Sequence, residues 1–142
     1  MTTNLTPGLE FGPSSWIDVP QERIDAFARA TNDLQSIHTD PELAAAGPYG
    51  VTVAHGYLTL SLLPAASYEV LPVRDAVLVN YGLNRLRFPA PVPAGSRVRA
   101  TFRIESVDPV DGGVQAAVTA TMEREGAEKP VCVAELLFRY LG

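Results

Sequence analysis

His38 and His55 are the two histidines of the chain, so chemistry that needs a side chain titrating near neutrality must use one of them. His38 stands in the polar run Thr31-Asn32-Asp33-Leu34-Gln35-Ser36-Ile37-His38-Thr39-Asp40-Pro41, and His55 in Val53-Ala54-His55-Gly56-Tyr57. A carboxylate and an imidazole facing one cavity are the groups general acid/base catalysis uses, and Asp33 and His38, five apart, are one such pair. On a regular helix residues five apart are rotated by about 140°, and on a strand they face opposite sides. The two therefore converge only through a bent loop, which Asn32, Ser36 and the neighbouring helix boundaries permit. The residues equally admit a plainer reading, in which Asp33 ends a helix and His38 is an ordinary loop residue. Gly56 also reads two ways: as backbone freedom at a helix start, or as an N–H at the positive end of a helix with no Cβ in front of it. A developing enolate oxygen needs a donor of the second kind. His38, Asp40 and His55 have the residue types of a zinc site, but no close histidine pair or cysteine set accompanies them, so no metal is expected.

These groups need elements to hold them. Pro20 can open a helix, and Ile24, Phe27, Ala28 and Thr31 recur at helical spacing until Asn32 and Asp33 interrupt it. Asp40 is a good N-cap with Pro41 as the first helical residue, and Gly47-Pro48 is the stop. The longest helical segment runs from Gly56 to Val70. Its Tyr57, Leu58, Leu60, Leu62, Leu63 and Ala66 lie on nearly all sides and predict a buried helix, although Pro64 would kink it. From Ala76 onward the period drops to two. Val98, Ala100, Phe102 and Ile104 alternate with Arg97, Arg99, Thr101, Arg103 and Glu105. Val114 to Met122 and Val131 to Tyr140 repeat the pattern, with Asp111-Gly112-Gly113 and Glu125-Gly126 as turns. The prediction is an α+β chain in which an antiparallel meander wraps one buried helix.

A chain of 142 residues can bury a core as a single domain spanning 1–142 without disulfides. Its apolar fraction of 46% against 19% charged residues is globular rather than disordered. The net charge of −5 without a basic block argues against nucleic acid or a membrane surface as partner. Cys132 sits between Val131 and Val133 as an apolar filler, which suits a reducing compartment. Met1 to Phe11 lacks the basic start and apolar run of a signal peptide, and no stretch is long enough to span a bilayer, so a cytoplasmic location is expected.

The run Thr31 to Ala44, with His55-Gly56 beginning seventeen residues after His38, resembles the MaoC-like or hydratase 2 family of hot-dog-fold enoyl-thioester hydratases. The family motif reads Gly-Asp-x-Asn-Pro-aliphatic-His, and its Asp and His match Asp33 and His38 with unchanged spacing. Asn32, Gln35 and Ser36 stand where the motif has Gly, Asn and Pro. Tyr81-Gly82-Leu83-Asn84-Arg85-Leu86-Arg87-Phe88-Pro89-Ala90-Pro91-Val92 is similar to the short nodulation-protein-N-like branch. The resemblance implies a single hot-dog domain, its long helix wrapped by the sheet, paired as a homodimer. It implies (R)-specific hydration of trans-2-enoyl-CoA or another enoyl thioester, and the reverse dehydration, with Asp33 and His38 holding the water and the Gly56 N–H binding the thioester oxygen. Gln35, Ser36, His55, Leu58 and Asn84 would line the substrate pocket. Arg85, Arg87, Arg97 and Arg99 would meet coenzyme A phosphates, unless they form only a solvated strand face. No cofactor is needed. Two other readings stay open: a thioesterase of the same fold, disfavoured by the Asp-x4-His spacing, and a non-catalytic acyl-thioester-binding module, suggested by the three departures.

Overall fold

A computed structural model describes residues 2–142. Three short strands, β1 (Thr2–Thr3), β2 (Glu10–Phe11) and β3 (Ile17–Val19), precede the helices α1 (Gln21–Thr31), α2 (Ser36–Thr39), α3 (Pro41–Ala45), α4 (Gly56–Ser61) and α5 (Leu63–Val70). After β4 (Val73–Arg74) come β5 (Val77–Arg87), β6 (Ser96–Val110), β7 (Gly113–Arg124) and β8 (Cys132–Leu141). The main sheet is antiparallel in the order β2-β6-β7-β8-β5, with β3 also on β6, and β1 pairs with β4 in a separate ribbon. The predicted meander is β6-β7-β8. β5 precedes it in sequence but lies at its far edge, beside β8. The two- and three-residue strands of the first half were not foreseen, because they are too short to show a period of two.

The alternation of β6 sets one face of the sheet. Val98, Ala100, Phe102 and Ile104 are fully buried, as are Met122, Ala120 and Val118, which pair with the last three of these from β7, and Ala116 beyond them. The pairing register keeps these faces together until a shift between Ile104 and Ser106. The alanines of this face leave room for helix side chains, and Leu58, Leu63 and Ala66 join the same core. Cys132 is part of that core, and burial pushes its thiol up to about 11, so it behaves as an inert apolar filler.

The segment after Gly56 differs from the single buried helix that its composition predicts. It breaks at Leu62, which caps both α4 and α5 at φ −81 and ψ −14, and Pro64 falls in the first turn of α5. There the missing N–H has no intrahelical partner to lose, so a restart is the conformation proline favours. Nor is the segment covered all round: Leu58, Thr59, Leu63, Ala66 and Ser67 face inward, whereas Tyr57 and Tyr68 are 70% and 66% exposed. No helix among the described residues is long and apolar enough to cross a membrane.

Candidate active site

α1 ends at Asn32, whose φ of 60 and ψ of 23 place it in the left-handed region. That reversal turns the chain so that Asp33 faces back toward α2. Asp40 stops the next turn: its side chain accepts from the N–H groups of Glu42 and Leu43, which starts α3 and commits that carboxylate to capping. Between these two boundaries the loop bends as the Asp33–His38 pair requires. The ligand-type atoms of Asp33, His38 and His55 all lie within 4.8 Å of one another.

Hydrogen bonds fix which ring nitrogen carries the proton in each histidine. His38 Nδ1 lies 2.7 Å from the Val53 carbonyl. A carbonyl only accepts, so Nδ1 carries the hydrogen and Nε2 presents a lone pair. His55 Nε2 lies 2.9 Å from the backbone carbonyl of Asp33 and donates to it. Its Nδ1 is buried with no partner among the described residues. The two rings stack with centroids 3.8 Å apart and planes 24° from parallel, and Phe27 closes the other side of His55 at 4.9 Å. His55 thus touches both members of the pair, one through its ring face and one through its N–H.

The same stacking bears on metal binding. An imidazole holds a metal in its own ring plane at about 2.0–2.1 Å. Two nearly parallel rings stacked at 3.8 Å cannot both aim in-plane lone pairs at one such point. Asp40, the third residue of the zinc reading, is occupied as the α3 cap. The donor set fits proton transfer and not a zinc cage.

Two ties set the distance between the His38 loop and the Thr52–Ala54 segment. Val53 N–H donates to the Ile37 carbonyl at 2.9 Å. Gln21, at the start of α1, reaches both segments: its Nε2 donates to the His38 carbonyl at 2.7 Å, and its Oε1 accepts from Thr52 Oγ1.

His38 and Gly56 line one cleft of about 310 Å³, whose other walls include Tyr49, Thr59, Phe88 and Val92. A second, more apolar cavity of about 330 Å³ lies between α4–α5 and the β5–β8 edge, against Tyr57, Leu63, Leu83 and Phe138. Gly56 is the first residue of α4, so its N–H has no intrahelical acceptor. Its φ lies outside the left-handed region, and backbone freedom is not why it is glycine: a Cβ there would stand 2.7 Å from Phe88 Cε2.

Other residues singled out from the sequence lie elsewhere. Leu58 is in the core and lines neither cavity. Gln35 and Ser36 are exposed at the start of α2, and Asn84 is exposed on β5 at a register shift. Arg97 and Arg99 are held by partners within the chain. They stand on the β6 face opposite the core, paired with Glu125 and Glu123, and both guanidiniums lie over the Trp16 ring. Their charge is matched locally, away from the cleft. Arg85 and Arg87 are exposed at the end of β5. Gln21, Thr52, Tyr49 and Phe88 were missed. Phe88 alone left a trace, in the glycine that makes room for it.

Residues 3–126 match the MaoC like domain. The chain belongs to the MaoC-like family. This MaoC-like chain is 52% identical over 136 residues to the 3-hydroxyacyl-thioester dehydratase Z of Mycobacterium tuberculosis, covering 94% of this chain and 90% of that one. It is 45% identical over 133 residues to Nodulation protein N of Rhizobium leguminosarum bv. viciae, covering 89% and 81%. Among solved structures, the (R)-hydratase from A. caviae superposes with a TM-score of 0.77 at 23% identity, covering 96% of this chain and 98% of that one. The fold is the hot-dog fold, with the helix in two pieces. Against the MaoC-like motif, Asn32 is the departure the structure explains: it takes the left-handed conformation that glycine adopts freely and asparagine tolerates best among other residues.

Proposed function

We propose that this chain catalyses the reversible, (R)-specific hydration of trans-2-enoyl thioesters, with Asp33 and His38 as the acid/base pair. The reaction class, hydration and dehydration of acyl thioesters, comes from the family. The observation that carries the finer reading is the His38–Val53 hydrogen bond, which leaves Nε2 as the lone-pair nitrogen of a buried imidazole that has a ring nitrogen within 4.8 Å of an Asp33 carboxylate oxygen. Asp33 orients a water. His38 Nε2 takes its proton as the oxygen bonds to carbon 3, the C2–C3 π pair shifts to lie between carbons 1 and 2, and the carbonyl π pair moves onto the thioester oxygen. The Gly56 N–H meets that oxygen, a donor whose loss costs about 2.7–4 kcal/mol of transition-state stabilisation in comparable sites. The proton on His38 then passes to carbon 2, so one water is added and the pair is restored.

The stereochemistry follows from the same layout. A helix start fixes the carbonyl oxygen, and the flat enoyl group presents one face to a water held by two side chains of a single loop. Hydroxyl and hydrogen therefore arrive from the same side, giving syn addition; the face that gives the (R) product is taken from the family. We assign the carrier phosphates to Arg85 and Arg87, which lead into the Phe88–Val92 wall, and the acyl chain to the apolar cavity beside α4. The working molecule is a homodimer in a reducing cytoplasm, joined along β5. The test is hydration of crotonyl-CoA in deuterated water. Loss of the conjugated absorbance without release of thiol, with an (R) product deuterated syn at carbon 2, is expected. Thiol release would make the chain a thioesterase, and neither change would make it a binder. An (S) product would overturn the stereochemical reading.

A further inference from the structure

We propose that Gln21 is a positioning residue for His38, a clamp that holds the imidazole in its base-competent tautomer. Both donors of its amide and one of the two acceptor sites on its oxygen are engaged, across elements or along its own helix. Nε2 donates to the His38 carbonyl at 2.7 Å and to Asp25 Oδ1 at 2.9 Å, and Oε1 accepts from Thr52 Oγ1. Thr52 is buried, and its neighbour Val53 supplies the carbonyl that takes the His38 Nδ1–H. The length of that ring-to-carbonyl bond depends on how the 36–39 turn sits against the 52–54 segment. The Val53 N–H bond to Ile37 is one tie between them. Even with the His55 bond to the Asp33 carbonyl at the far end of the loop, a single backbone tie at the 36–39 turn is a pivot. The Gln21 amide, bonded to both segments at a second point, converts the pivot into a fixed angle. Gln21 lies on α1 and lines neither cavity, so it acts on the orientation of the base and leaves substrate contacts alone.

The activity arm rests on the hydratase reading; the spectroscopic arm does not. Gln21→Met keeps the length of the side chain and removes both its donor and its acceptor. Gln21→Glu keeps an acceptor for Thr52 but turns a second acceptor toward the His38 carbonyl. For both, crotonyl-CoA hydration should lose about tenfold to a hundredfold in kcat, the size of effect expected when a catalytic group is misplaced by a fraction of an ångström to one ångström. KM should stay within about twofold, since no ground-state contact is removed. In nitrogen-15 spectra of the two imidazoles, the His38 Nδ1–H signal should weaken and its ring should populate both tautomers, while His55 stays as it is. Thr52→Val, which removes one of the two arms, should move the same readouts in the same direction by less, and it carries the test if a Gln21 variant does not fold. A folded Gln21→Met protein with wild-type kcat and an unchanged His38 spectrum would overturn the proposal. A fall in kcat with both histidine spectra unchanged would also overturn it. If the wild-type protein hydrates nothing, the functional reading fails and the spectra still decide the clamp.

Discussion

A histidine that donates one ring hydrogen to a fixed carbonyl has a single nitrogen left for proton exchange, and the His38 ring has a nitrogen within 4.8 Å of an Asp33 carboxylate oxygen. On the proposed mechanism, removing either group should stop the proton transfer. Asp33→Asn and His38→Gln are each expected to lower turnover by at least about a hundredfold, within the 10²–10⁴ range of general acid/base groups, while circular dichroism and the melting temperature stay near wild type. Near-normal rates in either variant would refute the pair. Gly56→Ala tests the opposite wall. Its new methyl would meet the Phe88 ring at 2.7 Å, and because Phe88 is 39% exposed the ring can yield by moving into the cleft. The expected outcome is a clear loss of kcat with stability nearly unchanged, read from initial rates and urea unfolding. Spacing alone offered Asp33 and His38 as a pair only if the loop bent, and the bend comes from a left-handed asparagine and an aspartate cap, both of them local signals. The Gln21 clamp was illegible for the opposite reason: its partners are 17 and 31 residues away, and no pattern in one sequence marks such a bond.

At the scale of elements, periodicity revealed what was long and hid what was short. β6, β7 and β8 follow the predicted alternation because each is at least ten residues long, whereas β2 and β3 gain their place from pairing with β6. The apolar run after Gly56 misled in two respects. Proline at the first turn of α5 is compatible with a helix that begins anew, and an apolar surface facing out is indistinguishable in sequence from one facing in. The restart predicts a sign. Were Pro64 inside a continuous helix, Pro64→Ala would stabilise the protein by about 3 kcal/mol. At the first turn of α5 it should instead destabilise by about 0.4–1 kcal/mol, by enlarging the conformational freedom of the unfolded chain. Urea denaturation of the two proteins distinguishes these outcomes.

For the whole molecule, the exposed edge is the feature with most to explain. β5 is paired on one side only, by β8, and it presents Val77, Val79, Tyr81 and Leu83 with 65%, 37%, 55% and 41% of their surface open. A long apolar edge of this kind invites a second strand. Pairing two copies along β5 would satisfy it, and Tyr57 and Tyr68 on the exposed side of α4 and α5 offer further apolar surface for such an interface. Light scattering is expected to give twice the 15.2 kDa chain mass, and Val79→Lys to shift the protein toward monomer; a wild-type monomer over a wide concentration range would contradict the pairing. The cleft carries a different consequence. The proposed acid/base pair and the carbonyl that orients His38 come from one unbroken stretch, residues 33–55, while Phe88, Val92 and Val131 of the cleft arrive from distant parts of the chain. Reactivity and carrier contacts are therefore inherited on separate pieces of the gene: exchange of the 88–92 segment between relatives can retune how the thioester carrier is held while the proposed proton-transfer apparatus passes on intact.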